Sequence, residues 1–309
     1  MLKQRLVAAA LGLPMLFVLL WLNWFLRLRG IPDNLPLLAV VLLIAGASGW
    51  EVSCIVRRRY PKTAPVNGVY AAVLLPLLVH GIRMAGAGHN MITVSSVGLL
   101  IDSLGTTAAT MLLFLAVWSD IEQRGREGIM ENLYVLLGGA YLGVTLSCLL
   151  LIELIPFHEI AVGLVFLLVF TLDTAAYFGG KHFGGLLLAP RISPRKTLAG
   201  ALCGMIATLV LTLGVKYVPH VAGFSLPELP WWNLGAHLRW EQLLLLGVGV
   251  GILGQVGDLV ESAFKRWGDV KDSGVIIPGH GGFLDRFDSL LLVAPYCYLL
   301  LTRVLNLPL

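Results

Sequence analysis

Ionisable residues are concentrated in one segment of the chain, Ser262–Asp288, with the sequence SAFKRWGDVKDSGVIIPGHGGFLDRFD. Its 27 residues include four Asp, two Lys, two Arg and one His. Carboxylates bind hard cations through oxygen, and Lys and Arg bind phosphate groups. Beside apolar sequence, such a segment indicates a site where a divalent metal and a polyphosphate are held together, and therefore a membrane enzyme rather than an anchor.

The predicted helix that leads into this segment carries polar residues at intervals of three or four: Asp258, Glu261, Ser262, Lys265 and Asp269. This spacing places them on one helical face. Asp285 and Asp288 follow at i, i+3 where the next predicted helix begins. We therefore predict that two helix ends bring carboxylates to one metal site. The alternative is a solvated stripe with ion pairs between neighbours on one helix.

The link between these two helices contains the turn Pro278-Gly279-His280-Gly281-Gly282. Gly281 and Gly282 permit positive φ and a close approach of the backbone to a ligand, which is typical of a phosphate-cradling loop. The alternative is a tight turn without a ligand, with His280 as a hydrogen-bonded structural residue.

A second polar cluster lies upstream, between Asp173 and Thr197. Asp173 interrupts an apolar helix, and an ionisable residue inside a membrane span indicates a functional site unless it forms a structural hydrogen bond. Ser193-Pro194 is predicted to open the next helix, with Lys196 and Thr197 in its first turn. A helix N-terminus with such side chains binds anions. The alternative is a basic loop that only sets membrane orientation.

Composition indicates an integral membrane protein. The chain has 309 residues, of which 57% are hydrophobic and 13% charged, whereas a soluble domain has about 25% charged residues. The net charge of +4 is too small to favour nucleic-acid binding. The four cysteines lie far apart within apolar runs, and we interpret them as small core residues.

About nine stretches are long enough to cross a bilayer, so we predict an all-α polytopic membrane protein. They lie near 5–26, 35–56, 66–86, 98–119, 132–155, 159–180, 197–218, 241–264 and 284–305. The first has no cleavage site after it and is interpreted as a retained helix. Residues 1–130 are predicted to form N-terminal transmembrane helices, and residues 131–309 a transmembrane catalytic region.

The positions of the basic residues predict the orientation. With the N-terminus in the cytoplasm, 16 of the 22 Lys and Arg lie on the cytoplasmic side and the C-terminus lies outside. This orientation places the site at the cytoplasmic face, where nucleotides are available, in what we expect to be a bacterial inner membrane.

The charged segment resembles the signature of phosphatidate cytidylyltransferases, also called CDP-diacylglycerol synthases. The pattern is S-x-x-K-R, four residues, K-D-x-G, then P-G-H-G-G-x-x-D-R-x-D, matched here from Ser262 to Asp288 with its spacing intact. The patterns D-T-x-A-Y-x-x-G, starting at Asp173 and including Tyr177, and S-P-x-K-T, starting at Ser193, also resemble the family. One difference is that the family usually has x-E-G after K-T, where this chain has Leu198, Ala199 and Gly200.

The resemblance implies that phosphatidate attacks the α-phosphorus of CTP, giving CDP-diacylglycerol and pyrophosphate. It also implies Mg²⁺, with K⁺ as a further cation, and a homodimer. On this basis the metal is assigned to Asp258, Asp285 and Asp288. The catalytic set adds three cations for the triphosphate and the lipid phosphate: Lys265, Arg266 and Arg286. The substrate-binding set is Asp173, Tyr177, Ser193, Lys196, Thr197, Ser262, Lys271, His280, Gly281 and Gly282.

Two other classes of protein fit this sequence less well. A CDP-alcohol phosphotransferase would carry D-G-x-x-A-R with spaced Gly and Asp residues, a pattern not found in this sequence. A transporter would carry broken helices at matching positions in its two halves, whereas the charges here gather at one face.

Overall fold

The computed structural model describes residues 35–86, 125–152, 158–216, 238–274 and 281–304, with a few single positions within 18–22 and 111–122. The predicted spans 5–26 and 98–119 lie largely outside the described residues. The same is true of most of the loop 219–240, and His280 also lies outside them.

The described residues form seven helices and one short sheet. The helices are α1 (Leu35–Arg59), α2 (Val66–Gly86), α3 (Arg126–Ile152), α4 (His158–Phe183), α5 (Leu198–Gly214), α6 (Trp240–Trp267) and α7 (Leu284–Val304). The strands are β1 (Leu187–Ala189) and β2 (Ser193–Thr197). Each predicted span within the described ranges therefore corresponds to a helix, and the mostly helical class is confirmed.

Four of these helices are long and apolar enough to cross a membrane: Leu35–Arg59, Arg126–Ile152, Ala161–Phe183 and Trp240–Trp267. Val66–Ile82 and Leu198–Gly214 are apolar but shorter. The protein thus has the helices of an integral membrane protein.

The described residues divide into two compact units. Unit 1 comprises residues 35–150 and 265–286, and unit 2 comprises residues 151–264 and 287–304. The predicted division of the chain at residue 130 concerns the roles of its two parts, and it stays a prediction.

Unit 1 is held together by small residues and buried hydrogen bonds between helices. A side chain at Gly49 of α1 or Gly68 of α2 would overlap the backbone of the other glycine. The missing side chains let the two helices approach closely, which increases van der Waals contact where lipid supplies no hydrophobic force. Asn67 Nδ2 donates to Asn132 Oδ1 of α3 at 2.9 Å, so a buried side-chain hydrogen bond joins α2 to α3.

Unit 2 joins α4, α5, α6 and α7. Thr208 Oγ1 of α5 donates to the Gly247 carbonyl of α6 at 3.0 Å. Gln255 Nε2 of α6 donates to the Ala201 carbonyl of α5 at 2.9 Å. Two polar side chains therefore fix the position of α6 against α5 in an otherwise apolar interface.

Residues Ser193–Thr197 form a strand, so the prediction that they open a helix is wrong. β2 pairs antiparallel with β1, with Leu187 opposite Thr197 and Ala189 opposite Ser193. The residue before a proline avoids helical backbone angles, which favours extended structure at Ser193. The helix starts later because Thr197, with φ −110° and ψ 152°, is the N-cap of α5 and its side chain accepts from the Gly200 amide.

Asp269 is not on the polar helical face where the sequence placed it, because α6 ends at Trp267. Asp269 has a φ of 55°. Its amide donates to the Arg266 carbonyl at 3.1 Å, and the Val270 amide donates to the Lys265 carbonyl at 3.0 Å. These two bonds form a Schellman motif that closes the helix with Asp269 in the left-handed conformation, a conformation that Asp tolerates better than most residues.

Candidate active site

Three carboxylates of unit 2 gather between α6 and α7. Ligand atoms of Asp258, Glu261 and Asp288 lie within 4.8 Å of one another. Asp258 and Glu261 share a face of α6 at i, i+3, and Asp288 lies in the first half of α7. We call these three residues the carboxylate cluster.

Gly257 lets the two helices bring these groups together. A β-carbon at this position would lie 2.6 Å from the Asp288 carbonyl oxygen, so only glycine accommodates the α7 backbone here. The neighbouring Asp258 is consequently held beside Asp288. Gly257 has no side chain that marks it in the sequence, and helical periodicity alone could not have identified it.

Lys196 supplies a positive charge to the carboxylate cluster. Its Nζ forms an ion pair with Asp258 Oδ2, and both side chains are partly buried. Lys196 therefore contacts α6 from the β2 strand and not from the start of a helix. Ser262 lies one turn further along α6, and its hydroxyl is 3.4 Å from Asp258 Oδ1.

Asp173 of α4 joins the same region through α7. Ser289 Oγ donates to Asp173 Oδ1 at 3.3 Å, and Asp173, Asp258 and Glu261 are the carboxylates that interact electrostatically with Asp288. Asp288 is 7% exposed. Carboxylates this close together are stabilised when a cation or a shared proton reduces their mutual repulsion.

The carboxylate cluster fits a divalent metal. Magnesium prefers carboxylate oxygens, and two helices present three of them within 4.8 Å of one another. Glu261, which the sequence analysis placed on the polar face but not in the metal set, belongs to this cluster. The structure thus brings together Asp258 and Asp288 of the predicted metal ligands and adds Glu261.

Asp285, the third predicted ligand, is in unit 1 and forms an ion pair with Lys265. Lys265 Nζ lies 2.5 Å from Asp285 Oδ1, and the side chains of Asp285 and Lys265 are only 12% and 11% exposed. Asp285 Oδ2 also accepts from the Ser273 amide at 2.9 Å, the Ser273 hydroxyl at 3.0 Å and the Gly282 amide at 2.9 Å. Metal ligation by Asp285 and phosphate binding by Lys265 stay predictions.

Glu51 of α1 is a buried carboxylate that the sequence analysis missed. It is 1% exposed, and it contacts the link between α6 and α7 within unit 1. The sequence does mark this residue, because Glu51 is the one acidic residue in the predicted span 35–56. Acidic residues inside membrane helices indicate functional positions.

The remaining predicted residues lie at more open positions. Three exposed cations, Arg266, Lys271 and Arg286, surround the link between α6 and α7. Arg266 Nη1 donates to the Val270 carbonyl at 3.1 Å. Gly281 has a φ of 83°, as expected for a turn glycine. On α4, the Tyr177 ring makes an edge contact with Phe178.

Comparison with known proteins adds independent findings. A family model described as "Cytidylyltransferase family" matches residues 3–304 of the chain. The phosphatidate cytidylyltransferase of Staphylococcus haemolyticus is 35% identical over 243 residues, covering 79% of this chain and 82% of that protein. The protein of the same name in Bacillus subtilis is 45% identical over 133 residues, covering 43% of this chain and 44% of that protein. The one in Rickettsia bellii is 37% identical over 167 residues, covering 54% and 68%.

Proposed function

The chain belongs to the cytidylyltransferase family, and on that premise we propose that it is a phosphatidate cytidylyltransferase. A phosphate oxygen of phosphatidate forms a bond to the α-phosphorus of CTP. The bond from that phosphorus to the oxygen bridging to the β-phosphate breaks, so the products are CDP-diacylglycerol and pyrophosphate.

The observation that carries this proposal is the carboxylate cluster with Lys196 beside it. The nucleophile is already ionised, so the reaction needs no strong base. The barrier arises from bringing two anions together, and positioned positive charge lowers it. Carboxylates that hold a metal, next to a lysine, suit this chemistry better than proton abstraction.

Asp258, Glu261 and Asp288 would hold Mg²⁺. When bound, the metal neutralises phosphate charge and polarises the phosphoryl group under attack. Lys196 is placed to turn from Asp258 to a substrate phosphate once the cluster is neutralised by a cation. Asp285 as a further metal ligand and K⁺ as a second cation complete the proposal.

Four cations are proposed to bind the triphosphate and the lipid phosphate: Lys265, Arg266, Lys271 and Arg286. Ser193 and Thr197 flank Lys196 in the same role. Asp173, Tyr177, Ser262, His280, Gly281 and Gly282 are proposed to line the substrate site.

The protein is further proposed to have nine transmembrane helices, with its N-terminus in the cytoplasm and its C-terminus outside. It would lie in a bacterial inner membrane as a homodimer, with its site facing the cytoplasm. An aromatic group in unit 1 supports a membrane interface at this end of the helices, because Trp and Tyr gather at both interfaces. The Trp267 ring lies 5.1 Å from the Tyr134 ring and 5.7 Å from the Arg59 guanidinium.

The test is turnover by the purified protein in detergent with phosphatidate, Mg²⁺ and CTP labelled at the α-phosphate. We expect label in the lipid product and release of unlabelled pyrophosphate. Label that stays in the aqueous phase would reject the proposal. Consumption of CDP-diacylglycerol with an alcohol, without use of CTP, would instead identify a CDP-alcohol phosphotransferase.

A further inference from the structure

Glu51 is hydrogen-bonded to three donors in the segment Ser262–Asp288, which lie more than 220 positions further along the chain. Its carboxylate accepts from the Ser273 hydroxyl, the Phe283 amide and the Leu284 amide, each at 2.8 Å. Phe283 and Leu284 lie where α7 begins, and the first amides of a helix have no partner within the helix. A negative charge at this end also interacts favourably with the helix dipole.

Two glycines of the segment make room for this carboxylate. A β-carbon at Gly274 would lie 2.5 Å from Glu51 Oε1. One at Gly282 would overlap both the Ser273 hydroxyl and the Glu51 carboxylate. The need for glycine at position 282 thus has a cause within the protein, namely the space that Glu51 fills.

Ser273 and Gly282 connect Glu51 to the Lys265–Asp285 ion pair. The Ser273 hydroxyl lies within hydrogen-bonding distance of both Glu51 and Asp285, and its single proton can serve one at a time. Gly282 packs against Glu51 and donates its amide to Asp285. A shift of Glu51 therefore moves the groups that hold Asp285.

We propose that Glu51 is a positioning residue for the active site. Its carboxylate fixes Ser273, Gly282 and the start of α7, and so holds Asp285 and Lys265 in their working geometry. The requirement is for a carboxylate, since all three partners donate hydrogen bonds. An amide in its place would turn its NH₂ group towards at least one of these donors. The catalytic part of the inference rests on the proposed function.

The test compares Glu51→Gln with Glu131→Gln. Glu131 is the matched control because it is a buried carboxylate of the same unit, 4% exposed, that accepts from Thr63 Oγ1 at 3.3 Å. Both variants lose a buried charge, so both are expected to lower the melting temperature. For Glu51→Gln alone we expect kcat for cytidylyl transfer to fall by about ten- to a hundredfold, because small displacements of positioned groups are costly.

Hydrogen exchange provides a second measurement that does not depend on turnover. The Phe283 and Leu284 amides should exchange faster in Glu51→Gln than in wild type, and at the wild-type rate in Glu131→Gln. Equal kcat and equal exchange in the two variants would overturn the inference. A wild-type protein that does not use CTP, but whose amides respond to Glu51→Gln, would reject the proposed function and leave the structural role of Glu51 standing.

Ser273→Ala tests the same connection if Glu51→Gln does not fold. It removes the hydroxyl between the two carboxylates and keeps the Ser273 amide bond to Asp285. We expect a smaller fall in kcat, of about threefold to tenfold, with faster exchange at Gly282. A wild-type kcat and wild-type exchange in Ser273→Ala would remove the connection between Glu51 and Asp285 and overturn the inference.

Discussion

Lys196 contacts Asp258, and this single ion pair links the two polar clusters seen in the sequence. A lysine there can do two things. It compensates the charge of the carboxylate cluster in the free protein, and in the proposed function it binds a phosphate when a metal takes over that compensation. Both roles depend on the position of the charge rather than on the net charge of the loop.

Lys196→Ala is predicted to lower kcat/KM for CTP by about one to two orders of magnitude, the effect of losing a hydrogen bond between charged groups. The carboxylate cluster also becomes more negative, so the Mg²⁺ concentration for half-maximal rate should decrease. Steady-state kinetics at varied Mg²⁺ measure both effects. Lys181→Ala, an exposed lysine at the end of α4, is the control and should change neither. An unchanged kcat/KM in Lys196→Ala would exclude a phosphate contact and leave this lysine its ion pair with Asp258.

Asp288→Asn and Asp258→Asn are predicted to abolish most metal-dependent activity, because each removes a carboxylate charge at constant shape. A readout besides activity is the rise in melting temperature on adding Mn²⁺, which follows from binding to the folded state. This rise should be lost in both variants and kept in Glu241→Gln, which changes an exposed residue in the first turn of α6. Retention of the full Mn²⁺ effect in Asp288→Asn would refute the proposed metal site.

At the scale of helices, the approach of α6 to α7 at Gly257 decides the geometry of the carboxylate cluster. Polar residues on two different helices meet only if their backbones come close enough. Gly257 provides that proximity by lacking a side chain opposite the Asp288 carbonyl.

Gly257→Ala is therefore predicted to reduce activity by at least about tenfold and to weaken stabilisation by Mn²⁺, although alanine favours helices. The matched control is Gly214→Ala in the last turn of α5, where a β-carbon meets nothing within 4 Å. That variant should be neutral, or stabilised by about 0.5–1 kcal/mol. Melting curves and turnover of the two variants distinguish a packing requirement from general helix propensity. Full activity in Gly257→Ala would show that α6 and α7 can move apart at this position without loss of activity.

Thr197 affects the stability of a helix because it is the N-cap of α5. Its hydroxyl accepts from the Gly200 amide at 3.1 Å. Thr197→Ala should lower stability by about 1 kcal/mol, while Thr197→Ser should keep most of it. Thermal unfolding of both variants with and without CTP tests this. A loss of CTP affinity in Thr197→Ala at unchanged stability would favour a phosphate contact over the cap.

For the whole molecule, the distribution of basic residues predicts which loops face the cytoplasm. In a protein whose native cysteines are replaced, Lys62→Cys should be protected from an impermeant thiol reagent in intact cells. Ser225→Cys should be labelled. The reason is that loops rich in Lys and Arg are retained on the cytoplasmic side during insertion. Labelling of Lys62→Cys from outside would show that the orientation is opposite to the predicted one and that CTP has no access from the cytoplasm.

Within the described residues, the sequence alone determined where the helices lie and which residues carry charge inside them. Apolar length and periodicity are local properties, so the spans 35–56 and 241–264 are recovered as α1 and α6 with longer ends. The spacing of Asp258, Glu261 and Ser262 also placed them correctly on one helical face. The signature from Ser262 to Asp288 identified the family because its spacing is contained in a single continuous segment.

Only the tertiary structure decided which of these groups meet. Glu51 reaches Ser273 across 222 positions, and Ser289 reaches Asp173 across 116. No local pattern encodes such pairs, since they depend on how closely whole helices pack. The strand Ser193–Thr197 is a local exception, since it pairs with the adjacent strand Leu187–Ala189 where its proline and hydroxyl residues had predicted a helix start. The local sequence set the helices, and long-range packing selected the partners of their polar side chains.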